Sequence, residues 1–141
     1  MTLTPETEAK IRASFAAQTL MSTFGAKLDE ITQGFARITA PILPTSLQQH
    51  GAAHAGLTFA IGDSAAGYAA LAMFEPDHEI MTVEVKINLL RPAVGDLLIA
   101  EGRVVKPGRR LTVVSADVFA ETAGQRKHVA TLQGTMIPVE T

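Results

Sequence analysis

From Ala52 to Phe74 the chain runs through "AAHAGLTFAIGDSAAGYAALAMF", almost without a polar interruption. A helix apolar on all sides has to be covered over most of its circumference. It carries one carboxylate, Asp63, near its middle. As a membrane span the segment is poor, because Ala and Gly return little transfer energy and a central Asp costs about 2.5 to 3.5 kcal/mol. The composition therefore predicts a buried helix that starts near His54 or Ala55, runs to about Phe74 and is broken by "EPDH". The rest of the chain must supply its cover.

The cover is legible in a change of period. In "EIMTVEVKINLLRP" the odd positions Met81, Val83, Val85, Ile87 and Leu89 are apolar while Thr82, Glu84, Lys86 and Asn88 are polar, the alternation of a half-buried strand. Three more strands are expected around 97–105, 111–120 and 128–139, split by the turn stretches "KPGRR" and "ETAGQRK". Short connections between consecutive strands predict a four-stranded antiparallel meander. Upstream, Thr4, Pro5 and early acids open a first helix that Gly25 ends. Residues 27–40 read as extended, ahead of a loop in "PILPTSLQQHG". The pattern defines one α+β domain over residues 1–141, an antiparallel sheet wrapped around a long helix. The open sheet edges leave room for pairing in a homodimer.

Twelve basic and 14 acidic residues give a net charge of -2, which excludes a basic nucleic-acid footprint. Cysteine is absent, removing disulfides, thiolate metal sites and cysteine nucleophiles. Charged residues Glu6, Glu8, Lys10 and Arg12 precede any apolar run, so the start does not read as a secretory signal, and a cytoplasmic protein is expected. His50 and His54 have no third ligand close in sequence, and no metal is expected. Gly62 and Gly67 are expected to allow close packing across a dimer.

The stretch "HGAAHAGLTFAIGDSAAGYAA", supported by "TVEVKINLLRPA" and "GRVVKPGRRLTVVSADVF", resembles the hotdog-fold acyl-CoA thioesterases of the phenylacetate-pathway branch. That branch opens its central helix with His-Gly-Gly and places a catalytic Asp nine residues after the His. Here His54 and Asp63 keep the spacing, and Ala55 stands in place of the first motif Gly.

The resemblance implies hydrolysis of an acyl-CoA to a free acid and CoA, with no separate cofactor. The unsatisfied N–H groups of a helix N-terminus can stabilise an oxyanion, and by analogy the donor is Ala55 or Gly56. An Ala serves as well as a Gly provided its φ is negative, which is the expectation for Ala55. In the family the donor and the carboxylate meet at a dimer interface, so a homodimer or a dimer of dimers is implied. Asp63 would act as general base or as nucleophile. Gln48, in competition with Gln49, falls where relatives place an Asn, and Thr82 where they place Ser or Thr. His54 is expected to fix the loop rather than transfer protons. Arg91, Lys106, Arg109 and Arg110 would meet the phosphates of CoA. Hotdog hydratases need a His five residues after the Asp, where this chain has Tyr68. A non-catalytic acyl-CoA-binding protein is the alternative.

Overall fold

A computed structural model describes residues 3–140. Helix α1 (Pro5–Ala16) starts as expected, with the Thr4 hydroxyl accepting from the Thr7 N–H and Pro5 in its first turn. It does not continue to Gly25. The backbone turns extended at Gln18, and a separate α2 (Thr19–Phe24) follows, closed by Gly25 in the left-handed region. The break coincides with a side-chain demand: the Gln18 amide reaches the Tyr68 hydroxyl at 2.7 Å.

Residues 27–41 form two strands, β1 (Lys27–Thr32) and β2 (Phe35–Pro41), joined by Gln33 and a positive-φ Gly34. The central helix α3 (Ala55–Leu71) begins where expected and ends three residues early. Four strands follow: β3 (His78–Leu89), β4 (Leu97–Lys106), β5 (Thr112–Thr122) and β6 (Gln125–Glu140). All six strands make one antiparallel sheet in the order β1-β2-β4-β5-β6-β3.

The expected four-stranded meander is therefore a three-stranded one, β4-β5-β6. Strand β3 lies outside it, paired with β6 at the far edge, while β4 takes β2 as its other neighbour. The connection after β3 is short enough for a hairpin, which is why the sequence misleads. It instead runs across the strand ends, its Leu90 N–H on Val129 and its Asp96 N–H on Glu121. Three strand spacings, about 14 Å, lie within reach of seven extended residues.

Strand β5 alternates strictly between buried and half-buried positions, and its inward set, Val114, Ala116, Val118 and Ala120, meets Leu57, Ile61, Ala65 and Ala69 of α3 in a single core. The helix comes close because the residues between are small. A Cβ at Gly102 on β4 would lie 2.3 Å from the Ala65 carbonyl carbon, so strand and helix touch backbone to backbone. Gly62, expected at a dimer contact, faces Leu132 and Val118 of the chain's own sheet.

Gly102→Ala is predicted to force helix and sheet apart and to cost about 3 kcal/mol or more, read as a lowered midpoint in urea unfolding. An unchanged midpoint would contradict this packing.

Candidate active site

The sheet covers α3 on all but one strip. Gly56, Phe59, Ala60, Asp63, Ser64 and Gly67 retain exposure along it, at the three- and four-residue spacing of one helix face. Asp63 is the charged residue on that strip, and what faces it is set by an irregularity in β3. Register slips between Thr82 and Glu84, with Val83 as the extra residue. A bulge inverts the side-chain alternation. Before it Ile80 and Thr82 point toward the helix; after it Val85 and Ile87 pack on the core, while Met81 and Val83 lie exposed. The simple alternation expected for this strand is thus broken at its centre, and Thr82 is turned inward.

The Thr82 hydroxyl donates to Asp63 Oδ1 at 2.8 Å. Burial pushes the Asp63 carboxyl up from its ordinary value, and the Thr82 hydrogen bond pulls it part of the way back. Together they border a groove of about 240 Å³ whose walls include Ser14, Gln18, Ser64, Tyr68, Leu71, Glu79 and Ile80.

At the start of α3, His54 is the N-cap. Its Nδ1 accepts from the Gly56 N–H at 2.8 Å, which places the ring proton on Nε2. The ring thus ties the loop to the helix start. It also divides the two candidate oxyanion donors. The Gly56 N–H is occupied, and the Leu57 and Thr58 N–H groups point to the His54 carbonyl at 3.0 and 3.4 Å. Among the described residues the Ala55 N–H has no acceptor.

The departure from His-Gly-Gly is explained by the same geometry. Ala55 is the first residue of a right-handed helix, and Ala123 is the one non-glycine residue with positive φ among those described. A methyl group is accommodated there. At Gly56 a Cβ would stand 2.9 Å from His54 Nδ1, against the capping ring. The second glycine of the motif is the one the cap requires.

Gln48 lies at the other end of the helix from Asp63's groove. Its Oε1 accepts from the His50 and Ala52 N–H groups at 2.5 and 3.2 Å, holding the loop. With Ala55, Thr58 and Arg91 it borders a second groove of about 360 Å³, whereas Gln49 is exposed and takes no part. Ala55 and Asp63 stand about 12 Å apart along the helix axis. Within one chain the residues expected to share a site thus lie in two separate places. The expected CoA cations divide as well. Arg91 bonds the His128 carbonyl beside the Gln48 groove, while Lys106, Arg109 and Arg110 occupy the β4–β5 turn at the opposite end of the sheet. Ser14, Gln18, Ser64 and Glu79, which line the Asp63 groove, carried no signal in the sequence because their elements come together only in the fold.

One long helix gripped by a six-stranded antiparallel sheet is the hotdog fold. Residues 50–127 match the family model of the thioesterase superfamily. The chain belongs to the thioesterase superfamily. A thioesterase family protein from Silicibacter pomeroyi is 38% identical, with a TM-score of 0.93 over 96% of this chain and 99% of that one. The PaaI protein of the Escherichia coli phenylacetic acid degradation operon shares the fold, with a TM-score of 0.87 at 23% identity over 98% and 96%. A curated protein of Saccharolobus solfataricus, SSO1253, is 26% identical over 100 residues, 71% of this chain and 66% of that protein's length.

The cap geometry makes a paired prediction for thermal unfolding. Gly56→Ala is expected to lose about 1 kcal/mol by displacing the His54 ring from the helix start. Ala55→Gly, in contrast, is expected to change stability by less than about 0.5 kcal/mol. The reverse ranking would refute the assignment of the cap.

Proposed function

We propose that this protein is an acyl-CoA thioesterase whose active site is completed by a second copy of the chain. The observation that carries the proposal is the Thr82-oriented Asp63 carboxylate, half-buried on the one strip of α3 that the sheet leaves open. Superfamily membership supports hydrolysis of a thioester. The fold shared with PaaI supports that branch.

The dimer follows from what the single chain leaves unpaired. Strand β3 is a sheet edge carrying exposed Met81, Val83 and Leu89, and Phe59 is exposed on the open helix strip. Two such edges pairing antiparallel would bring the open strips together, setting Asp63 of one protomer near Ala55 and Gln48 of its partner. Arg91 and the Lys106, Arg109 and Arg110 turn would then meet the CoA phosphates from two sides.

In this reading Asp63 Oδ2, left free by the Thr82 bond, accepts a proton from water as the water oxygen attacks the thioester carbonyl. The Ala55 N–H receives the developing oxyanion. Collapse of the tetrahedral intermediate breaks the C–S bond, and the proton held by Asp63 passes to the departing CoA sulfur. Direct attack by the carboxylate would break the C–S bond, expel CoA as its thiolate and leave a mixed anhydride, which water then opens to the free acid and the restored Asp63 carboxylate, the proton released passing to the thiolate. Both routes begin from ionised Asp63, and a buried carboxylate with a raised pKa is a stronger base than an exposed one. The absence of cysteine is in keeping with a cytoplasmic enzyme, and no described helix is long and apolar enough to cross a membrane.

The test is CoA release from a panel of acyl-CoAs, followed with a thiol reagent. Asp63→Asn is expected to lower kcat at least about 100-fold. Activity retained in that variant would remove the mechanism, and no release from any acyl-CoA would favour a binding protein. The rate should fall on acidification through a pKa above the ordinary carboxylate value, and Thr82→Val should move that limb to higher pH by removing the bond that stabilises the ionised form.

Stability should run the other way. Because the folded pKa of Asp63 is raised, its contribution is fully present below its unfolded pKa and is lost as pH rises through the folded value. Asp63→Asn is expected to melt about 1–3 °C higher at neutral pH, a gain absent in acid.

A further inference from the structure

The hydroxyl that orients Asp63 has one hydrogen and two acceptors. Thr82 Oγ1 lies 2.8 Å from Asp63 Oδ1 and 3.2 Å from the thioether sulfur of Met136. An ionised carboxylate is a strong acceptor and a thioether sulfur a weak one. The sulfur is nonetheless fixed in place. Met136 on β6 lies opposite Thr82 in the β3–β6 register, just before the Val83 bulge, so the two side chains share one face of the sheet. Met136 is wholly buried, and its methyl end lies against α3, where a Cβ on Gly67 would stand 4.0 Å from Cε. Gly67 is one turn beyond Asp63, so Met136 spans the space between β6 and the helix face that carries the carboxylate.

We infer that Met136 is a positioning residue of this site: its sulfur is the second acceptor for the Thr82 hydrogen, which points to Asp63 while the carboxylate is ionised and turns to Met136 as Asp63 takes up a proton. Only the Thr82 O–H bond rotates, and no proton passes to the sulfur. The inference rests on the thioesterase reading, in which Asp63 alternates between two protonation states and a partner's β3 edge covers the otherwise exposed Thr82.

A protonated Asp63 no longer presents a charged Oδ1. With the proton on Oδ1, the Thr82 oxygen accepts it, and the Thr82 hydrogen needs another acceptor. With the proton on Oδ2, Oδ1 is a neutral carbonyl oxygen with which the sulfur competes. Once Thr82 is covered, a donor left without a partner is costly, so an acceptor already in place favours the protonated form. Leucine would fill a similar volume and offer none. Met136 thus acts on Asp63 in the same direction as burial and against the pull of Thr82. The other titratable groups bordering the groove are Glu79 on β3 and Tyr68 on α3, with Lys10 of α1 3.6 Å from Glu79. On the sheet side Val85, Val114, Ala116 and Leu132 carry no titratable group. The Met136 sulfur has Thr82 as its polar partner, so a change at Met136 reaches Asp63 through that hydroxyl.

The test is a carbon-13 NMR titration of the aspartate carboxyls in the full chain, with the Asp63 signal assigned by its loss in Asp63→Asn. Met136→Leu is expected to lower the Asp63 midpoint by about 0.5. In a Thr82→Val background the same substitution should move it by less than about 0.2. A merely structural role for Met136 would move the midpoint alike in both backgrounds. An unchanged or raised midpoint in Met136→Leu, or an equal drop with and without Thr82, overturns the inference. Should Met136→Leu fail to fold, replacement of methionine by norleucine, which exchanges sulfur for CH2 and keeps the side chain's shape, is expected to give the same drop and the same dependence on Thr82. The titration needs no substrate, so its outcome is separate from the thioesterase reading, which fails if no acyl-CoA is hydrolysed. In an active enzyme the acid limb of kcat/KM should follow the NMR midpoint downward in Met136→Leu. A midpoint that moves while the limb stays would count against Asp63 as the base and leave the Met136 contact standing.

Discussion

The approach of α3 to β4, backbone against backbone at Gly102 and Ala65, sets the terms for the rest of the molecule. It requires a helix of small residues on the side that meets the sheet, and the Ala- and Gly-rich composition of 52–74 supplies one. A helix held so closely is gripped along most of its circumference, and what the sheet cannot reach becomes a narrow strip. Asp63, Gly56 and Phe59 share that strip. The catalysis proposed for this scaffold is centred on that one face of the helix and on what is laid against it.

Two local devices shape the site proposed on that strip. The bulge at Val83 spends one residue of β3 to redirect Thr82 onto the carboxylate. The His54 cap takes the Gly56 N–H out of play and leaves that of Ala55 free at the helix's positive end. Burial beneath the strip raises the Asp63 pKa, so the same placement that makes the carboxylate a better base works against the stability of the fold at neutral pH. Neither device is long-range: each depends on one or two residues held by the surrounding core.

Much of this was legible in the sequence, and the misreadings have physical causes. The helix, its start near His54 or Ala55 and the four strands expected after it follow from composition and period, and the structure bears them out. The pairing of β3 with β6 was hidden because loop length constrains reach, not neighbour. The bulge was hidden because Val83 fits either side of an edge strand that also presents Met81 outward. The break at Gln18 coincides with its bond to Tyr68, a partner 50 residues away that no local pattern marks. Of the candidate site, Asp63 and Thr82 are in contact, while Gln48 and Ala55 gather at the helix start. That division is a property of one chain, and it is why the site is proposed to need two.

Complementation between two inactive variants addresses that claim most directly. Ala55→Pro removes only the proposed oxyanion N–H, since Pro is well accepted at the first helical position and His54 already has the extended backbone that precedes it. Ala55→Pro and Asp63→Asn proteins, each inactive alone, are denatured together, refolded as an equal mixture and assayed for CoA release. If the site is built from two chains, each mixed dimer contains one intact site, and the mixture recovers roughly one quarter of wild-type activity. If Asp63 and Ala55 act within the same chain, the mixture stays as inactive as its parents.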